Sequence, residues 1–184
     1  GGSTTSVVSL SNPQDRSIGL TIFVAVMILA FILRVVIAGM YHGHEQDMSC
    51  FIAWADMVYN DGFHKFYATM TEGYPPGYIY LLYVIGWLRH VFSIPWDSAT
   101  SDILTKMPSI LTDMGMGFLI YRAASEKFRE TGAAFLSAVY LFCPAIFLDS
   151  VVWGQTDSVY VVFVAWMFYL IAKKKLIPSY FLFA

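Results

Sequence analysis

IGLTIFVAVMILAFILRVVIAGMY, residues 18–41, carries Arg34 as its only charged side chain. About 24 residues at a helical rise of about 1.5 Å each are long enough to cross a hydrocarbon core of about 30 Å. This run reads as a first membrane span. The whole chain agrees with it: 58% hydrophobic, 17% aromatic and 13% charged residues, with a mean hydropathy of +0.60, lie outside the habit of soluble domains. Arg34 falls in the second half of the run, so its stem is expected to carry the guanidinium out to the nearer interface. Residues 1–17, GGSTTSVVSLSNPQDRS, are small, polar and without periodicity. They read as a disordered lead-in, with GGS as a cloning scar, and not as a signal peptide.

Working outward, residues 42–76 (HGHEQDMSCFIAWADMVYNDGFHKFYATMTEGYPP) hold Glu45, Asp47, Asp56, Asp61 and Glu72 against a single Lys or Arg, Lys65. So many carboxylates beside an apolar span point to binding or chemistry. Residues 78–92, YIYLLYVIGWLRHVF, follow Tyr74-Pro75-Pro76-Gly77 and run for only about 15 residues, short of a full span. We read them as an amphipathic juxtamembrane helix with Arg89 and His90 at its wet end. Residues 103–122, 133–148 and 158–172 read as spans two to four, and 176–184 as the start of another.

Orientation follows from charge. Arg122, Lys127 and Arg129 form one basic patch and Lys173, Lys174 and Lys175 a second, two spans later. Both therefore face one side, and an excess of Lys and Arg marks that side as cytoplasmic. The N-terminus is then cytoplasmic, and residues 42–102 and 149–157 are external loops. The fold class is all-α integral membrane, with about four transmembrane helices, the opening of a fifth, and juxtamembrane helices in the first external loop. A net charge of −2 with no basic patch fit to follow a phosphate backbone excludes a nucleic-acid partner. Cys50 and Cys143 form neither a metal spacing nor a disulfide framework.

Two acidic loops on one face allow Asp47 and Asp157 to meet, with Asp149 and Glu45 in reserve. Such a pair serves as general base for a hydroxyl or as oxygen ligands for a divalent cation such as Mg or Mn. The plain alternative is solvated loop acids.

The residues also carry a resemblance. D47-x-x-x-F51-x-x-W54-A55, G62-x-x-x-F66-Y67, Y74-P75-P76-G77-Y78, K106-x-P108-x-x-x-x-D113, P144 and W153-G154-Q155-x-D157-S158 stand in that order. Over most of residues 34–172 this pattern resembles the N-terminal half of bacterial GT-C glycosyltransferases related to the second GPI mannosyltransferase. The resemblance implies a polyprenyl- or dolichyl-phosphate-linked sugar, such as the mannose, as donor. It also implies inverting transfer on the face away from the cytoplasm, with Asp47 activating the acceptor and Asp157 as the second acid. A leaving lipid phosphate needs positive charge at the membrane edge, and Lys106, His44, His42 and Lys65 are the groups to supply it. For Lys106, snorkelling is an equal alternative. Asp113, at bilayer depth, is expected to face the bundle interior and pair with Lys106 or Arg34. GT-C enzymes continue with further spans, so the chain reads as a truncated module. Two other classes stay open: a transporter fragment, and a non-catalytic scaffold or lipid-binding module.

Overall fold

The computed structural model describes residues 13–70 and 74–183, and every regular element among them is helical. In order these are α1 (Pro13–Met40), α2 (Glu45–Thr69), α3 (Pro76–Val91), α4 (Ala99–Ala124), α5 (Glu130–Leu141), the short α6 (Pro144–Phe147), α7 (Asp157–Ala172) and α8 (Leu176–Phe183). A π-helical turn, Leu148–Trp153, continues α6. Residues 13–17 of the expected lead-in are helical: Pro13 opens α1, where its fixed φ suits a helix start and its missing N–H is not needed. Residues 1–12 and Glu72 lie outside the described residues.

By itself α1, with 28 residues, is long and apolar enough to cross a membrane. Only 17% of its most apolar window is buried, so its Ile, Leu and Val side chains point outward instead of forming a protein core. The pair α5 and Pro144–Trp153, bent by 49° at the break, passes the same test jointly. The expected second span lies inside α4, whose 26 residues include Lys106, Asp113 and Arg122. Those charges leave α4 too polar to qualify by composition. Apolar α7 is short, at 16 residues.

The chain divides into two compact units. In the first, comprising residues up to Ile32, Asp113–Ile146 and Tyr160 onward, Phe23 stacks on Tyr121 at 4.0 Å between centroids. Seven residues further along α1, Ala30 packs with Met114 and Leu141. Contacts that climb α1 while descending α4 make the two helices antiparallel. Asp15 accepts hydrogen bonds from the Glu130 N–H (3.2 Å) and the Thr131 hydroxyl (3.1 Å), satisfying donors in the first turn of α5.

The second unit, Leu33–Thr112 with Phe147–Val159, contains the α2/α3 hairpin. Met48, Phe51, Ile52, Ala55 and Val58 of α2 are buried at helical spacing, as are Tyr78, Leu82 and Ile85 of α3. Their rings meet edge to face, Phe51 on Tyr78 at 5.4 Å and on Trp54 at 5.9 Å, the arrangement that ring quadrupoles favour. At Gly62 the backbone leaves helical geometry (φ 80°) and α2 kinks.

Two charged side chains expected at polar edges are buried instead. Arg34 does not reach for an interface: it is fully buried, its guanidinium 4.9 Å from the centre of the Phe147 ring. Nor is Arg89 at a wet end. It follows Ile85 at a spacing of four on the buried stripe of α3, is 3% exposed, bonds Asp56 at 3.0 Å and lies 4.1 Å over the Trp96 ring. His90, one residue on, does face outward. Burial pushes the Asp56 carboxyl above its usual range, and Arg89 and then His90 pull it partly back.

Candidate functional site

The site grows from the turn between α1 and α2. After α1 ends, Gly43 adopts φ 103°, and a Cβ there would stand 2.5 Å from the Trp153 carbonyl oxygen. Only glycine satisfies both the conformation and the approach. The approach lets the His44 N–H donate to Trp153 O at 2.8 Å, tying this turn to the end of the π-helical segment. His44 also stacks on the Trp153 ring, 5.1 Å between centroids and 12° from parallel.

Asp47, in the first turn of α2, completes the arrangement. Its Oδ2 accepts from the Gln155 amide at 2.7 Å and from the Trp153 indole N–H at 3.1 Å, and His44 Nδ1 stands 3.1 Å away. Its Oδ1 receives no hydrogen bond among the described residues. The carboxylate is 32% exposed. One oxygen is held by N–H groups while the other remains open to an incoming group. The supporting shell continues outward: the Ser109 hydroxyl donates to Gln155 O at 2.7 Å, Thr112 meets Ser158 at 3.1 Å, and the Tyr74 and Thr156 hydroxyls stand 3.4 Å apart.

Comparison with family models, with curated proteins and with solved structures finds no match. The functional reading therefore rests on the residues and their geometry.

The expected site residues are dispersed by this geometry. Asp47 and His44 come together. Asp157 is exposed in the first turn of α7, two residues beyond Gln155, with no side-chain hydrogen bond or ion pair among the described residues. Lys106 is 1% exposed, and its ammonium donates to the carbonyls of Val151 (2.9 Å), Tyr41 and Ala38. It binds the end of α1 to the π-helical turn, so its donors are spent on backbone and not on a phosphate. Asp113, expected to pair with Lys106 or Arg34, is itself fully buried. Lys65 forms an exposed pair with Asp61, one turn earlier on α2. His42 bonds Asp102 at 2.7 Å.

Among the described residues no three His, Cys, Asp or Glu side chains gather to hold a metal. Asp47 Oδ2 is moreover surrounded by N–H groups, whose positive ends repel a cation. Trp153 and Gln155 are the functional residues whose part a linear reading misses. The W153-G154-Q155 pattern is legible, but nothing in it says that the side chains reach a carboxylate 106 and 108 positions away.

Proposed function

We propose that this protein is a multi-pass membrane glycosyltransferase of the GT-C kind, moving a sugar, mannose by resemblance, from a polyprenyl-phosphate donor to an acceptor hydroxyl. The observation that carries the reading is Asp47, fixed through Oδ2 by Trp153 and Gln155 and open at Oδ1. A sugar hydroxyl is a poor nucleophile at neutral pH, so its proton must pass to a base as the new bond forms. Oδ1 takes that proton. The acceptor oxygen attacks the anomeric carbon, the bond to the lipid phosphate breaks, and the configuration inverts. His44, donating from Nδ1 to Asp47 when doubly protonated, has Nε2 to offer to a phosphate oxygen. Asp157, exposed two residues beyond Gln155, is the second acid of this reading.

In this reading α1 crosses from the cytoplasm, α2 and α3 lie outside, and α4 returns. The antiparallel course of α1 and α4 supports that path, as does the burial of Arg89, which leaves α3 with a packing role beside α2.

Asp47→Asn keeps the side chain's size but removes its basicity. Transfer from polyprenyl-phosphate mannose in reconstituted membranes should fall at least about 100-fold, the lower end of what general-base catalysis contributes. Donor binding, measured alongside, should change little. Transfer at the parent rate would remove Asp47 from the chemistry and leave it a structural ligand of Trp153 and Gln155.

A further inference from the structure

Within the first unit a cavity of about 320 Å³ opens where α1 begins and α4 ends. Its wall is divided in character. Leu20, Phe23 and Phe118 give it an apolar side, and Arg16 and Arg122 stand at its rim with Glu130. Both arginines are exposed and neither guanidinium makes a hydrogen bond or ion pair among the described residues. Two guanidiniums against one carboxylate leave a surplus positive charge. Glu130 adds a second feature: its Oε2 is buried without a hydrogen bond of good geometry, with the Tyr121 hydroxyl as the carboxylate's neighbour in the cavity wall. A buried acceptor left unmade is unfavourable, and a donor brought by a ligand would relieve it.

We propose that this cavity binds an anionic phospholipid with a hydroxylated headgroup, of the phosphatidylglycerol type. The phosphate lies between Arg16 and Arg122, whose planar forks suit its oxygens. A headgroup hydroxyl donates to Glu130 Oε2, and the first acyl carbons run along Leu20 and Phe23 toward the outward-facing apolar surface of α1. Basic pockets between helices, at the level of the lipid headgroups, are recognised lipid sites. A phosphate without a hydroxyl leaves Glu130 unsatisfied, and a zwitterionic headgroup brings an ammonium to the arginines. The proposal rests on α1 crossing the bilayer and not on sugar transfer, so the outcome for Asp47→Asn does not touch it.

The test is lipid binding to the full chain in detergent, followed by native mass spectrometry with phosphatidylglycerol, phosphatidic acid and phosphatidylcholine. Phosphatidylglycerol should bind roughly tenfold tighter than phosphatidylcholine, in line with the worth of basic residues near an anionic lipid surface. Arg16→Gln with Arg122→Gln should abolish that preference. Lys127→Gln with Lys175→Gln, equal in charge change but outside the cavity, should keep it, and Arg122→Lys should retain most of it. The proposal is overturned if the preference survives the double arginine variant or if phosphatidic acid binds as tightly as phosphatidylglycerol. Displacement of the lipid by glycerol phosphate would likewise overturn it, by showing a site for soluble anions.

Discussion

At Asp47 the catalytic reading can be separated from a structural one by changing its neighbours. Trp153→Phe preserves a ring to stack on His44 but deletes the N–H that holds Oδ2 at 3.1 Å. A hydrogen bond to a charged group contributes about 1.5–3 kcal/mol, so sugar transfer should drop roughly tenfold or more. Donor affinity should hold, and the loss should be smaller than for Asp47→Asn. Equal losses for the two variants would mean that Trp153 acts on something other than the orientation of the carboxylate. Asp47 itself was legible from the sequence, as an acid just beyond an apolar span. Lys106 was legible only as a charge, because whether an ammonium meets a lipid phosphate or three backbone carbonyls depends on where helix ends converge.

Among the elements, the α2/α3 hairpin offers the clearest tests. A Cβ on Gly86 would stand 2.3 Å from the Ala55 carbonyl oxygen, so α3 approaches α2 only because that position has no side chain. Gly86→Val should destabilise the hairpin by about 1–3 kcal/mol or more, the usual range for overpacking, read as a lower melting temperature in detergent; an unchanged melt would show that α3 does not dock on α2 this closely. The Asp56–Arg89 pair gives a pH test with a definite sign. Burial raises the Asp56 carboxyl above 3.8, so the folded state holds this proton more tightly than the unfolded one. The group's contribution is therefore fully present below about pH 3.8 and is lost as pH rises through the raised value. The melting temperature of the parent relative to Asp56→Asn should accordingly fall as pH rises above about 3.8 and the carboxyl gives up its proton. A relative rise would mean that attraction to Arg89 outweighs burial. Hydrophobic spacing foretold α3 as a helix, but its polar end was misread: Arg89 lies in register with Leu82 and Ile85, and register outranks the charge when an aspartate and a Trp96 ring wait on the buried side.

For the whole molecule the proposed path through a membrane is the feature to probe, since among the described residues α1 is the one unbroken helix long and apolar enough to cross. The sequence made α4 a span by position between apolar runs, yet Lys106 and Asp113 are buried in it, and a window of hydropathy cannot tell an inward-facing charge from one that would meet lipid. The proposed path places Asn60, exposed on α2, outside and Lys127, exposed between α4 and α5, in the cytoplasm. With Cys50 and Cys143 first replaced by serine, Asn60→Cys should react with a membrane-impermeant maleimide in intact cells. Lys127→Cys should react only after the membrane is opened. Both residues are solvent-exposed, so protection of either reports sidedness and not burial. If α3 were a full span in place of a juxtamembrane helix, the N-terminus and the two basic patches could no longer share a face: Asn60 would be cytoplasmic when Lys127 is, and both sites would be protected together. Labelling of Lys127 with protection of Asn60 would invert the orientation, placing Asp47 on the cytoplasmic side, where transfer from a donor on the external face could not reach it.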